Sequence, residues 1–481
     1  MGVATIVFMT TPSPSAPLIR VHFWGAARTV TGSMHLVETP GKTFLLDCGL
    51  YQGRRDEARR RNSSFPFVAK DIDAVVISHA HIDHIGNLPA LFRHGFDGPV
   101  HCTPATRDLM AIMLADSAHI QEEDARHLNK RRPQGVPMVE PLYDQGDVVR
   151  TMKACQSVPY DRTVEIAKGV SLTFVDAGHL LGSAMVHLAV EHQGRKASLT
   201  FTGDLGRRAQ PILRDPAPVP ECDLLISEST YGGRNHESLV ETEELLGQIV
   251  KRTFDRGGKV LIPAFSLGRT QTIVLFLHQL IRAGKLPDVE VYVDSPLASE
   301  ATAVFRMHPE CFDAETLALM DKDPDLFGGR RIQYVRSTED SKKLNEKPGP
   351  AVIIAASGMC EAGRILHHLK HNISDPRTTV LLAGYQAPDT LGRRLAEHRP
   401  EVKIFDRMIP LRAEVIMGSG FSSHAGHDDL VSYLSPLVGR AKKVCLVHGE
   451  PESSEALAVS LRAKGFADVT VPDRGDVVEI G

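Results

Sequence analysis

Ser78-His79-Ala80-His81-Ile82-Asp83-His84-Ile85-Gly86 places four side chains able to ligate a metal within six consecutive positions. His79 and His81, two residues apart in extended backbone, point the same way, while Asp83 and His84 open the next helical turn and reach a neighbouring point. One segment can therefore supply two adjacent metal sites. A solvated histidine-rich loop is the bland alternative, and the HxHxDH spacing matches ligand geometry too closely to favour it. Closing two sites takes further ligands, and three other strand ends offer them. His179 lies between glycines in Asp176-Ala177-Gly178-His179-Leu180-Leu181-Gly182. Asp204 ends Phe201-Thr202-Gly203-Asp204, where a carboxylate could bridge two cations, and His448 opens His448-Gly449-Glu450. Singly, a histidine or aspartate at a strand end is usually only hydrogen bonded. These three gain weight by joining the first motif.

The elements that must carry these residues recur along the chain as an apolar, β-branched run, a short polar or glycine-rich loop and an amphipathic helix. The runs cover 73–78, 224–227, 259–263, 351–355, 379–383 and 443–447. Continuous apolar strands are buried on both faces, which predicts sheets covered by helices. In open α/β sheets, ligands bind beyond the carboxyl ends of the strands, where the polar residues above are found. Residues 19–48 read instead as short alternating strands with turns, as in a mixed sheet. A helix is expected over 122–130, inside a polar, proline-containing excursion at 121–141 on the active-site side.

A chain of 481 residues is too long for one ordinary core and predicts two or three domains. The net charge of −4 excludes a uniformly basic surface, so contact with a polyanion would need a local patch. Histidine is unusually frequent, at 22 residues. The seven cysteines are scattered and never form a CxxC pair, which predicts reduced, mostly buried thiols and a cytoplasmic location rather than a disulfide framework. Residues 1–18 have an apolar run without a basic stretch before it and are expected to form a disordered leader. No apolar segment approaches the roughly 20 residues that span a bilayer, so no membrane partner is expected.

The order Asp47, His79-x-His81-x-Asp83-His84, His179, Asp204 resembles the metallo-β-lactamase superfamily. Glu228, His424 and His448 resemble the further motifs of its β-CASP nucleases, the branch containing the cleavage and polyadenylation endonuclease, archaeal homologues and ribonuclease J. Leu50-Tyr51-Gln52-Gly53, Pro263-Ala264-Phe265-Ser266-Leu267-Gly268-Arg269, Asp294-Ser295-Pro296 and Ser357-Gly358-Met359 look nearest to bacterial ribonucleases of that branch. Asp389 stands where those relatives would have glycine. The similarity runs from about residue 19 to the C-terminus and implies an α/β protein: a metallo-β-lactamase αββα sandwich from 19–232 and 420–481, with an inserted α/β β-CASP domain at 233–419.

By that resemblance, His79, His81 and His179 would hold one Zn2+, and Asp83, His84 and His448 a second, with Asp204 bridging and Mn2+ as an alternative metal. Asp47 would orient a ligating imidazole from behind. Two cations about 3.5 to 4 Å apart can share a hydroxide at neutral pH, which would attack RNA phosphodiesters in line and leave 5′-phosphate and 3′-hydroxyl ends. His424 would protonate the leaving oxygen, held charged by Glu228. Loops that start helices, with Ser266, Gly268 and Arg269, Ser357, Gly358 and Arg364, and Ser422 and Ser423, would track the RNA backbone in the cleft between the domains. Basic clusters at 59–61, 130–132, 207–208 and 393–394 would extend that track. Sparse aromatics predict that shape and phosphate contacts dominate and that sequence preference is loose. The expected partner is RNA, preferentially single-stranded, cut as by an endonuclease, with 5′–3′ exonuclease action and a homodimer as further expectations. The rivals are a DNA nuclease of the same branch, in which valine tends to replace the residue matching His448, a small-molecule hydrolase, and a non-catalytic subunit of an RNA-processing complex. The intact ligand positions argue against the last.

Overall fold

In the computed structural model, which describes residues 16–481 apart from 131, 134, 136, 288, 385 and 388, two seven-stranded sheets lie face to face. The first runs Val477–Ile480, Ile19–Phe23, His35–Thr39, Lys42–Leu46, Ala74–Val76, Val100–Cys102, Cys155–Ser157. The second runs Val469–Thr470, Lys443–Val447, Leu224–Glu228, Arg195–Phe201, Ala184–His192, Val170–Asp176, Val164–Ala167. Both are mixed. Antiparallel hairpins form part of each, and the runs that end in candidate ligands are parallel, as Leu224–Glu228 is to its neighbours Arg195–Phe201 and Lys443–Val447.

The alternation of inward apolar residues decides how the layers close. Ile19, Val21 and Phe23 point to one face of their strand and meet Phe44, Phe174, Leu188 and Phe201 in the core between the sheets. The outer face of the first sheet is covered by helices through Leu88, Leu91, Leu109 and Met110. That of the second is covered through Leu430, Leu434, Leu457 and Leu461. Each fully buried leucine contributes about 2 kcal/mol by leaving water. The arrangement is the expected αββα sandwich.

Between Glu228 and Lys443 the chain builds a third sheet, all parallel, in the order Ile332–Tyr334, Val291–Val293, Val352–Ala355, Val260–Pro263, Thr379–Leu382, Glu414–Met417. Its apolar runs are buried on both sides: Val260 and Ile262 pack on helices Leu239–Asp255 and Arg269–Arg282, while Leu261 faces Ile365 and Leu369. Helix Leu239–Asp255 begins where Ser238 and Glu241 cap each other's backbone.

Two expectations need correction. The helix expected at 122–130 is the end of one 27-residue helix, Pro104–Lys130, about 40 Å long. Its start was written in the sequence as Thr103-Pro104, with Thr103 Oγ1 accepting from the Thr106 amide at 3.2 Å. The fold also begins before residue 19: Leu18 is buried and donates its amide to Ile480, and the Ala16 carbonyl accepts from Arg195. The rest of the expected leader, 1–15, lies outside the described residues. All seven cysteines are free thiols and six are buried. Among the described residues, no helix is long and apolar enough to cross a membrane.

Asp389 has φ +65°, the left-handed conformation that glycine adopts without strain. Tyr385 and Pro388 of its loop lie outside the described residues. Asp389→Val is expected to lower the unfolding free energy by about 1–2 kcal/mol, because a β-branched residue tolerates this region worst, while Asp389→Gly should not lower it. Urea denaturation of the three proteins checks this, and equal midpoints would refute it.

Candidate metal centre and cleft

Four strand ends converge at one edge of the sandwich. Asp47 follows Lys42–Leu46, the segment 78–84 follows Ala74–Val76, Asp204 follows Arg195–Phe201, and His448 follows Lys443–Val447. His179 joins them from the loop between Val170–Asp176 and Ala184–His192. The sequence brings them together because parallel neighbours end at the same edge, so residues up to 365 positions apart meet there.

The ligating atoms form two groups. His79 Nε2 and His179 Nε2 lie 3.1 and 3.3 Å from His81 Nδ1. His448 Nε2 lies 3.2 Å from His84 Nε2 and 3.4 Å from Asp83 Oδ2. Asp204 Oδ2 sits between the groups, 3.5 Å from both His79 Nε2 and His84 Nε2 and 3.6 Å from His179 Nε2. Glu228 also comes within ligand distance of Asp204 and His448.

These residues fit a metal on three counts. Ligand atoms of a tetrahedral zinc stand about 3.3 Å apart, the spacing seen here. Burial, with neighbouring histidines, pulls His79 and His179 well below the ordinary imidazole value and His81 to about 4, which favours the neutral form in which an imidazole ligates a metal. Asp204 Oδ1 is buried without a hydrogen-bond donor among the described residues. Burial opposes charge on Asp204, but His448, His84 and His79 outweigh it and hold the carboxyl well below its usual range. Burial also opposes charge on His84, and there Asp204 and Asp47 prevail and raise it. The negative potential that draws a proton to His84 would draw a cation equally.

The backing is as ordered as the ligands. Asp47, fully buried, accepts from His84 Nδ1 at 2.7 Å, from Ser33 Oγ and Ser78 Oγ at 3.0 Å, and from the Ser78 amide at 2.8 Å. Its bond to His84 Nδ1 fixes the ring so that Nε2 faces Asp204. Ser78 Oγ lies 3.1 Å from His79 Nδ1 and does the same for that ring. Thr230 Oγ1 stands 3.1 Å from His448 Nδ1. The sequence reading missed Ser33, Ser78 and Thr230. A serine beside a histidine is too common to signal anything until the fold shows what its hydroxyl reaches.

His424 lies beside the two groups, its ring 4.4 Å from that of His179 and its Nδ1 3.3 Å from Glu228 Oε1. Burial disfavours its charge, yet Glu228 and Asp204 more than compensate, and its pKa is raised. Glu228 is fully buried at the end of its strand and also accepts from the Leu205 amide at 2.6 Å.

The centre forms the floor of a cleft of about 1240 Å³ between the sandwich and the third sheet. Ser266, Arg269, Ser357, Arg364, Ser422 and Ser423 line it, as do Met113, Asp116, Ile120 and Glu123 of the long helix. The predicted backbone contacts differ in what they have left to offer. Arg269, at the start of helix Arg269–Arg282, has no ion pair or side-chain hydrogen bond among the described residues, and its Nε is buried. Its guanidinium sits against Phe265 and the bare backbone of Gly384, where a Cβ would fall 2.2 Å from it. Ser422 is buried and its Oγ has no hydrogen-bond partner among the described residues. Arg364 is occupied: it donates to Asp294 at 2.6 Å and to the Val335 and Arg336 carbonyls. Ser357 Oγ accepts the amides of Glu361 and Ala362 in its own loop. Gly268, φ +76°, caps its helix against Leu180, and Gly358 lies under the Phe265 ring. Of the basic clusters, Arg131 lies outside the described residues, and Arg207 is buried rather than on a surface track.

Three family models match the chain: the metallo-beta-lactamase superfamily over residues 27–248, the Beta-Casp domain over 270–395, and the Zn-dependent metallo-hydrolase RNA specificity domain over 408–472. The chain is 39% identical to Ribonuclease TTHA0252 of Thermus thermophilus over 447 residues, covering 93% of this chain and 97% of that protein. It is 35% identical to Transcription termination factor FttA of Methanosarcina mazei, covering 93% of this chain and 69% of that one. A crystal structure of a protein of unknown function from Enterococcus faecalis superposes with a TM-score of 0.53 at 14% identity, covering 96% of this chain and all of that one, which speaks for the fold alone. With its ligand-bearing strand ends, its inserted parallel sheet and a relative matched along nearly its whole length, the chain belongs to the β-CASP family of the metallo-β-lactamase superfamily.

Proposed function

We propose that this chain is a metal-dependent ribonuclease that hydrolyses RNA phosphodiesters, cutting internally and, from a free 5′ end, also in the 5′–3′ direction. The observation that carries the reading is the juxtaposition of two ligand groups, with Asp204 between them, and an acid pair, His424 and Glu228, on the floor of one cleft. The names of its relatives, a ribonuclease among them, support RNA as the substrate.

In this reading His79, His81 and His179 hold one zinc and Asp83, His84 and His448 the other, with Asp204 facing both. Bound there, the cations would supply the Lewis acidity that readies water for attack and neutralises phosphate charge. The protein does the rest. Asp47 fixes the tautomer and direction of His84. His424, kept charged by Glu228, gives its proton to the departing 3′-oxygen, which leaves a 5′-phosphate on the downstream fragment. Arg269 and Ser422 offer a free guanidinium and hydroxyl to the flanking backbone. The strand taken into the cleft is single. Boundaries at 232/233 and 419/420, a cytoplasmic setting, and a dimer that leaves the cleft open complete the proposal.

The test is elemental analysis of the purified protein together with cleavage of end-labelled RNA and of DNA of the same sequence. Two zinc ions per chain, RNA preferred, and 5′-phosphate with 3′-hydroxyl products are expected. Products ending in 2′,3′-cyclic phosphate would remove the hydrolytic mechanism, and equal cleavage of DNA would remove the assignment to RNA.

A further inference from the structure

Arg207 is nine-tenths buried, yet no carboxylate lies within ion-pair distance of it among the described residues. Its guanidinium instead donates to two backbone carbonyls, Nη1 to Gly420 and Nη2 to Glu237, both at 2.7 Å. Those carbonyls belong to the two places where the chain crosses between the sandwich and the third sheet: Glu237 precedes helix Leu239–Asp255 on the way out, and Gly420 follows strand Glu414–Met417 on the way back. One planar fork therefore ties both crossings together, which a lysine's single point charge would not do as well. The crossings also touch directly. The Gly420 amide donates to Glu237 Oε2 at 3.2 Å, and a Cβ on Gly420 would fall 1.8 Å from Thr242 Oγ1.

The four residues ending in Arg207 lead straight to the chemistry. Asp204 faces both ligand groups, and the Leu205 amide donates to Glu228 Oε1. Gly206 pairs with His424 in an isolated antiparallel bridge, flanked by Ala425 N to Leu205 O at 2.8 Å and Arg207 N to Ser423 O at 3.1 Å. Since His424 is only four residues beyond Gly420, its place depends on how the returning crossing is held. His236 adds a further tie, its Nε2 lying 3.1 Å from the His424 carbonyl.

We propose that Arg207 is a positioning residue: by clasping the two chain crossings it sets where His424 stands relative to Glu228, and so couples the disposition of the cleft walls to proton delivery. The inference rests on the reading of His424 as the proton donor. A loosened clasp would then impair reactions that need a proton on the leaving oxygen more than those that do not.

Arg207→Met, Arg207→Lys and Gly420→Ala test this, each with its metal content and melting temperature measured beside the wild type. Two substrates are compared: RNA, whose leaving alkoxide needs a proton, and bis(p-nitrophenyl) phosphate, whose phenolate leaves without one. Turnover of RNA should fall about 10- to 100-fold, a fraction of what a general acid contributes, with a much smaller loss on the activated diester. In an His424→Ala background the same substitutions should cost little more. Parallel losses on both substrates, or losses that multiply with His424→Ala, would overturn the proposal. Should Arg207→Met fail to fold, Arg207→Lys, which keeps the charge and loses the fork, decides. If His424→Ala alone shows no RNA-selective loss, the proton-donor reading fails and takes this one with it, a result distinct from failure of the clasp alone.

Discussion

Asp204→Asn should reduce RNA turnover by at least about 10³-fold and lower the bound metal, with the fold intact. The expectation follows from where the carboxylate stands. Its Oδ2 is 3.5 to 3.6 Å from three imidazole nitrogens drawn from both ligand groups, and its Oδ1 is buried without a donor among the described residues. Two cations in such neighbouring groups repel each other; unit charges 4 Å apart interact by about 4 kcal/mol at the effective dielectric of a protein, and divalent ions by more. A shared anion offsets that repulsion. Asparagine keeps the shape and removes the charge. Losing about 4 kcal/mol of such stabilisation is a factor of about 10³ in rate. The sheets that carry the site close through Phe23, Phe44, Phe174 and Phe201, away from Asp204, so circular dichroism should be unchanged. Full activity with a full complement of metal in the variant would end the two-group reading of the centre.

His424→Ala is expected to separate binding of metal from turnover. His424 is in neither of the two imidazole ligand groups, so elemental analysis should match the wild type. RNA cleavage should nevertheless drop about 10²- to 10⁴-fold, the usual worth of a placed general acid. The raised pKa of His424, which Glu228 and Asp204 maintain against burial, means that rising pH removes the active, protonated form. The wild type should therefore lose activity at alkaline pH, and the residual activity of the variant should lack that fall. Glu228→Gln should act in the same direction by withdrawing the charge that favours the proton. Wild-type turnover in His424→Ala, or loss of metal together with turnover, would assign the ring another role.

How much of this was legible in the chain varies with distance along it. The HxHxDH segment could be read as metal chemistry because its geometry is local: extended backbone aligns His79 with His81, and one helical turn presents Asp83 and His84. That Val260–Pro263, Val352–Ala355 and Thr379–Leu382 are strands covered on both faces was equally visible, since each is a nearly continuous apolar run; that they form a sheet of their own was implied only by the family resemblance. Long-range pairing was not visible in the same way. Asp294 neutralises Arg364 from 70 residues away, and nothing near either residue announces it. Arg207 sits in an Arg-Arg pair that reads as surface charge, and only the two carbonyls it finds among residues far along the chain show it to be interior.

What the amino-acid sequence by itself determined is the inventory: which side chains can ligate, which strands must be buried, and, through the family resemblance of its motifs, which residues to expect at the centre. Tertiary structure alone decided which polar groups remain available. Hydrogen bonds and ion pairs are exclusive, so a guanidinium given to Asp294 is withdrawn from a ligand, while one left against Phe265 and Gly384 is not. That allocation depends on contacts between residues hundreds of positions apart, and no local pattern encodes it.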